Sequence, residues 1–297
     1  MKTPLQNLLH AFKKHQIDAF LVTKDENIFY LTGYPSEESW LLVCPKESFY
    51  LTDGRHSLHA KRFLKDIQVI ECKKSIFDEM AQIVEAQGSR VVGFDERHMT
   101  VLSFKRIEQA LKKTSRLLGC QDLVENIRLV KRNDELLKMT KALKFHKKCL
   151  LYLKQIIKPG RSENQVFEQL ERYVRAHHVS FSFSTIIASG VNSCFPHARI
   201  TDRKIRREDL VLVDMGIDVE GYKSDLTRMF FLGKIPHRMR EVYDAVAHAK
   251  SLAIKKIKPG VLTKDIDAEA RNFLKQKKLD RYFSHSLGHG IGLEVHE

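Results

Sequence analysis

The sequence predicts an α/β protein in two parts, an α/β domain over residues 1–122 followed by an α+β domain over residues 123–297. Three observations carry that prediction. Short apolar runs alternate with helix-like stretches through the first part, the pattern of a layered α/β unit. The tetrapeptide Ile157-Lys158-Pro159-Gly160 returns one hundred residues on as Ile257-Lys258-Pro259-Gly260. Between the copies lies a single long alternating stretch, LVLVDMGIDVEGYKSDLTRMFF (210–231). A chain of 297 residues fits two domains at about 150 residues each and can bury a large core without disulfides.

In the first part, Leu5, Leu8, Leu9 and Phe12 recur at helical spacing and predict an opening amphipathic helix. Strand candidates follow at AFLVT (19–23), WLLVC (40–44), SFYLT (48–52), IQVIE (67–71) and RVVGF (90–94). Helix-like stretches lie near 56–64, 76–87 and 99–113. The basic segment ENIRLVKRNDE then leads into a long helix ending at Lys158.

The second part reads as an internal repeat, with related halves starting near 133 and 237. Each IKPG copy sits between two helices. Proline stops the first helix and glycine permits the turn. Ser162 with Gln165 forms a capping box for the next helix in copy one, and Thr263 is the N-cap candidate in copy two. The helices that follow, NQVFEQLERYVRAHH and DIDAEARNFLKQKK, each lead to a strand-like stretch and a His-bearing loop. Copy one runs on through the hairpin to Leu232, whereas copy two stops at Glu297, so the reading expects a second half without its own last hairpin.

Composition narrows the function classes. Hydrophobic residues make up 43% and charged residues 30%, ordinary for a globular protein. No apolar run reaches the roughly 20 residues of a membrane span, and the N-terminus does not read as a signal peptide. Lys plus Arg outnumber Asp plus Glu by 51 to 37. The lysines are dispersed, without tracts or aromatic interleaving, which argues for solvated helix faces over a nucleic-acid partner. Five separated cysteines and no CxxC suggest neither a zinc ribbon nor a disulfide framework. Reduced thiols point to the cytoplasm.

The chemistry concentrates in three segments. In 210–231 the turn falls at Glu220-Gly221, which pairs Val219 with Tyr222 and Gly216 with Asp225. Asp214 then shares a face with Asp225, with Gly216 leaving room between them, while Val213, Met215, Ile217 and Val219 face the core. Two converging carboxylates repel unless one is protonated or a cation sits between them. Only Lys223 is an obvious basic partner on that face. The second segment, His285-Ser-Leu-Gly-His289-Gly-Ile-Gly-Leu-Glu-Val-His296-Glu, holds three histidines punctuated by Gly288, Gly290 and Gly292. That glycine density excludes a helical HExxH site and lets backbone approach a ligand. The third segment, SGVNSCFPH ending at His197, occupies the corresponding place in copy one. Carboxylates and imidazole without thiolate suit Mn²⁺, Co²⁺, Fe²⁺ or Zn²⁺.

VDMGIDVEGYKSDLTR, SGVNSCFPHA and HSLGHGIGLEVHE together resemble the pita-bread metallopeptidases, peptidase family M24, and within them the Xaa-Pro aminopeptidases and Xaa-Pro dipeptidases (prolidases). NIFYLTGY and FYLTDGRH resemble the creatinase-type N-terminal domain of that branch. The resemblance implies a pita-bread fold with a pseudo-twofold repeat and two divalent metal ions. It implies that Asp214 chelates one ion, Asp225 bridges both and His289 binds the other. His197 and His296 would lie near the substrate, assisting proton transfer. His285 would line a proline pocket, and Thr227 would support the metal ligands from behind. It further implies hydrolysis of the N-terminal Xaa-Pro bond by a metal-bridged hydroxide, a peptide partner with proline at its second position, no membrane partner, and a homodimer. The family's two remaining ligands are glutamates further along than Glu297, so the reading expects impaired metal binding and weak or absent activity of these 297 residues. Two rivals stand beside it. One is a catalytically inactive pita-bread module that binds peptide or nucleic acid. The other is a creatinase-like C–N hydrolase.

Overall fold

The computed structural model describes residues 3–112 and 114–297. It divides into two compact units, Met1–Lys131 and Arg132–Glu297.

The first unit runs α1 (Pro4–His15), β1 (Ala19–Val22), α2 (Asp25–Thr32), β2 (Trp40–Val43), β3 (Ser48–Thr52), α3 (Ser57–Phe63), β4 (Gln68–Glu71), α4 (Ile76–Ala86), β5 (Val91–Asp95), α5 (Val101–Ala110), β6 (Arg116–Cys120) and α6 (Leu123–Arg128). Its six strands form one mixed sheet in the order β4-β3-β2-β1-β5-β6. β1 pairs antiparallel with β2 and parallel with β5. Every residue of β1 is buried, which is why its sequence is a continuous apolar run rather than an alternating one. Thr3 and Gln6 close a capping box on α1, with Pro4 in the first turn.

The five expected strands all form. Three elements of this unit, α2, β6 and α6, were not anticipated. α2 covers DENIFYLT, whose aromatic and β-branched residues favour a strand. Asp25 and Glu26 in its first turn and the left-handed Gly33 cap (φ +72°) favour the helix instead. β6 adds to the edge beside β5. The boundary expected after residue 122 moves to Lys131, because α6 packs on α1 and α2 and so belongs to the first unit.

The second unit runs α7 (Asn133–Ile156), α8 (Glu163–Ala176), β7 (Ser180–Phe181), β8 (Ile186–Ser189), β9 (Leu210–Val219), β10 (Tyr222–Phe231), α9 (His237–Lys256) and α10 (Thr263–Gln276), with 3-10 turns at Gly190–Cys194 and Asp280–Tyr282. The halves begin with α7 and α9, as the repeat predicts. Both IKPG turns rest on a left-handed glycine, Gly160 at φ +89° and Gly260 at φ +86°, the conformation that glycine adopts most readily. Ser162 and Gln165 form the expected capping box. In copy two the N-cap is Leu262, without a side-chain hydrogen bond, and Thr263 is the first helical residue. The strand expected after α10 is a 3-10 turn followed by irregular chain.

β9 and β10 form the hairpin in the expected register, Val219 opposite Tyr222 and Gly216 opposite Asp225. Glu220 and Gly221 both have positive φ, +55° and +85°, as a type I′ turn requires. Asp218 Oδ1 accepts the Gly221 N–H at 2.9 Å. α7 crosses behind the hairpin. Tyr222 donates its hydroxyl to the buried Glu135 at 2.8 Å, and Lys141 reaches Glu220 at 2.6 Å. Val211, Val213, Met215 and Ile217 point into a core with Cys149 and Leu153 of α7 and Val166 and Leu170 of α8. β9 thus has one face in the core and leaves Asp214 and its neighbours on the other. The second half has a smaller core, built on Ala245, Ala249 and Ala253 of α9 against Ala270 and Leu274 of α10.

Candidate metal centre

The hairpin positions the carboxylates. Thr227 lies opposite Asp214 in the ladder and donates its hydroxyl to Asp214 Oδ1 at 2.9 Å. Asp225 lies one diagonal step away on the same face. Its carboxyl is held above the usual range, first by burial and then by the charge of Asp214, against the opposing influence of His289 and His296. Lys223 does not serve this pair, since its ammonium is engaged with Asp218 directly across the ladder. The space expected at Gly216 is also taken. A Cβ there would strike Ser182, Phe183 and the Ser224 carbonyl. Gly216 therefore admits the 182–183 segment over the hairpin rather than leaving a gap between the two aspartates.

The histidine segment reaches the same face through its backbone. Gly292 accepts the Lys223 N–H at 2.8 Å, which fixes the segment beside the start of β10. Gly290 and Gly292 admit Glu297, which a Cβ at either position would strike. The carboxylate of Glu297 accepts the N–H groups of Leu293 and Glu294.

His289 Nε2 comes to 3.4 Å from Asp225 Oδ2. Its Nδ1 lies 2.8 Å from the Gly290 carbonyl. A carbonyl only accepts, so Nδ1 carries a proton, and Nε2 is the ring atom turned toward the Asp225 carboxylate. An Nε2 without a proton of its own would leave two acceptors facing each other across 3.4 Å. A proton on Nε2 or a cation between them resolves the conflict. The fixed tautomer and the hydroxyl behind Asp214 are the supports that metal ligands carry. The residues present therefore fit a divalent ion. The His296 ring packs edge-on against His289 with centroids 4.1 Å apart.

The other two histidines stand apart from this group. His285 is exposed, turns Nδ1 to the Ser286 carbonyl at 2.7 Å and packs against Phe283. His197 is exposed on the loop after the first 3-10 turn, and among the described residues no hydrogen bond or ion pair ties it to Asp225 or His289. The structure thus brings Asp214, Asp225, Thr227, His289 and His296 together and leaves His197 and His285 outside their contacts.

Residues that the sequence did not single out position both loops. Glu163, at the start of α8, is fully buried. Oε1 accepts the N–H and hydroxyl of Ser189, each at 2.7 Å. Oε2 accepts the Thr201 N–H at 3.0 Å and its hydroxyl at 2.6 Å. One carboxylate thereby ties both ends of the loop that carries His197. Burial pushes its pKa up, but the hydrogen bonds from Thr201 and Ser189 outweigh burial and hold it below the usual glutamate value. In copy two, Arg271 of α10 donates to the carbonyls of Phe283 and His285 at 2.9 and 2.6 Å. Asp267 accepts the Leu287 N–H at 2.9 Å.

The comparisons with known proteins agree with this architecture. Residues 137–297 match Metallopeptidase family M24, and residues 4–130 match the Creatinase/Prolidase N-terminal domain. An uncharacterized peptidase of Bacillus subtilis is 33% identical over 294 residues, covering 99% of this chain and 83% of the relative. The Xaa-Pro dipeptidase of Pyrococcus horikoshii is 30% identical, covering 100% of this chain and 83% of its own length. Among solved structures, the Xaa-Pro dipeptidase from Bacillus anthracis superposes with a TM-score of 0.93 at 30% identity, covering 99% of this chain and 82% of that one. The X-Pro aminopeptidase from Thermotoga maritima gives 0.87 at 32% identity, covering 97% and 83%. The chain belongs to metallopeptidase family M24, a peptidase with a creatinase/prolidase N-terminal domain ahead of its pita-bread domain.

Proposed function

We propose that this peptidase removes the residue preceding proline at the N-terminus of peptides or dipeptides, and that Asp214, Asp225 and His289 hold its divalent metal. The observation that carries the reading is the approach of His289 Nε2 to within 3.4 Å of Asp225 Oδ2, with the far ring nitrogen committed to a carbonyl. The names of the relatives from Pyrococcus horikoshii and Thermotoga maritima support the Xaa-Pro specificity.

When bound, the ion supplies an activated water and a Lewis acid for the amide carbonyl. The chain's own residues do the rest. Asp214 and Asp225 offer the negative charge that attracts the ion, and their mutual repulsion is relieved by it. Thr227 fixes the rotamer of Asp214. Gly290 fixes the His289 tautomer. His296, exposed and packed on His289, can carry a proton at its ring nitrogen to the departing amine. His197 is assigned the same task from the loop that Glu163 braces, and His285 the wall of a proline pocket. Mn²⁺ as the resident ion, a homodimer and a cytoplasmic location are the finer forms of this reading. The cysteines, all free and three of the five buried, support a reducing compartment. Among the described residues no helix is long and apolar enough to cross a membrane.

The test is hydrolysis of an Xaa-Pro peptide and an Xaa-Pro dipeptide with Mn²⁺ or Co²⁺, beside an Xaa-Ala control. The reading expects weak ion-dependent release of the first residue, only before proline, reduced about tenfold further in Asp225→Asn. Equal cleavage before alanine removes the specificity claim. Cleavage unaffected by Asp225→Asn removes the metal assignment.

A further inference from the structure

The first unit contains a second group of converging ligand atoms, remote in sequence from the hairpin. Asp95 ends β5, His98 lies in the turn that follows, and Glu125 comes from α6. Their ligand atoms all lie within 4.8 Å of one another. His98 Nε2 is 3.6 Å from Asp95 Oδ2 and 3.4 Å from Glu125 Oε1. The Asp95 side chain is only 3% exposed, and its Oδ2 has no hydrogen-bond partner. Its other oxygen accepts the Arg97 N–H at 3.1 Å. Glu125 Oε1 accepts the Asn27 amide at 2.7 Å and lies 3.7 Å from Lys24 Nζ, while Oε2 is buried and unpartnered.

Buried carboxylate oxygens without donors are costly, and natural proteins satisfy nearly all such groups. Here an unpartnered Asp95 oxygen aims at an imidazole nitrogen that lies equally close to a second carboxylate. We propose that Asp95, His98 and Glu125 bind a divalent ion of the Zn²⁺ or Co²⁺ type, which joins the end of β5 to α6. One imidazole and two carboxylates form a borderline donor set suited to such ions. A tetrahedral ion about 2.1 Å from each ligand needs ligand atoms about 3.4 Å apart, and the two His98 distances match that spacing. His98 is 32% exposed, which leaves an entry path and room for water as the fourth ligand. The competing arrangement is a proton shared between Asp95 and Glu125. Burial and the charge of Glu125 push Asp95 up to about 6, which favours that shared proton where no ion is bound.

This inference does not depend on the peptidase reading, and its test keeps the two apart. The full chain carrying Asp225→Asn, which disables the hairpin site, is titrated with Co²⁺ and followed by its visible absorption and thermal midpoint. The expected result is one Co²⁺ bound with the strong visible bands of tetrahedral coordination and a raised midpoint. Adding His98→Ala abolishes both the bands and the shift. Asp95→Asn, which keeps the shape and can still hydrogen bond to Glu125, also abolishes them while leaving the ion-free midpoint at or above that of the parent. Absence of the bands in the Asp225→Asn chain overturns the proposal. So does their survival in either substituted chain.

Discussion

The two halves of the repeat solve one problem with opposite chemistry. Each must hold a histidine-bearing loop against the helix that follows its IKPG turn. In the first half a buried carboxylate, Glu163, gathers N–H and hydroxyl donors from both ends of the loop. In the second half a half-exposed guanidinium, Arg271, collects carbonyls, with Asp267 accepting one N–H. The difference teaches that the repeat preserves the turn and helix order, not the tether. A charge shielded from water with every lone pair used is energetically decisive, whereas a solvated pair contributes little.

The largest expected effect is therefore Glu163→Ala. It strands the donors of Ser189 and Thr201 and costs on the order of 3–5 kcal/mol in denaturant unfolding. The Glu163 pKa is depressed by the fold, so its contribution is complete above the ordinary glutamate value of about 4.3 and fades as pH falls below it. A smaller loss than that of Arg271→Ala would break the comparison.

Next comes His146, buried in α7 beside Ser224. Burial, with Arg228 adding to it, pushes its pKa down to about 4. The folded state then binds this proton less readily than the unfolded chain. Stability is full above about pH 6.5 and falls by about 3 kcal/mol as pH drops towards 4. His146→Gln should flatten that part of a stability-versus-pH curve.

Tyr222→Phe removes the hydroxyl that meets Glu135 and should cost about 2 kcal/mol, read as a lower thermal midpoint with the hairpin intact. Arg271→Ala should cost about 1 kcal/mol or less, and that loss should shrink in high salt. Salt dependence in Glu163→Ala instead would mean that the two tethers have been misjudged.

The hairpin was the most legible part of the chain. Its period of two separates Asp214 and Asp225 from Val213, Met215 and Ile217. A two-residue turn at Glu220-Gly221 permits only one register, and the ladder follows it. The repeat was legible through proline and glycine, whose conformational limits are local. Tertiary contacts were not. Glu163 reaches Thr201 across 38 positions, and nothing in its neighbourhood distinguishes it from an ordinary acid at a helix start. Lys223 looked available to Asp225 because both share a face, yet Asp218 lies directly opposite it and captures it. Gly216 reads as an opening until Phe183 is seen against it. The group of Asp95, His98 and Glu125 escaped notice because its third member lies on α6, an element that sequence periodicity did not reveal.

The central claim is that Asp225 and His289 face each other in order to share a cation. Anomalous diffraction from crystals of the full chain grown with Zn²⁺ tests it most directly. The account predicts a peak about 2.0–2.2 Å from both Asp225 Oδ2 and His289 Nε2, with Asp214 within reach of the same density. A crystal in which the His289 ring turns from Asp225, with no peak between them, would contradict it.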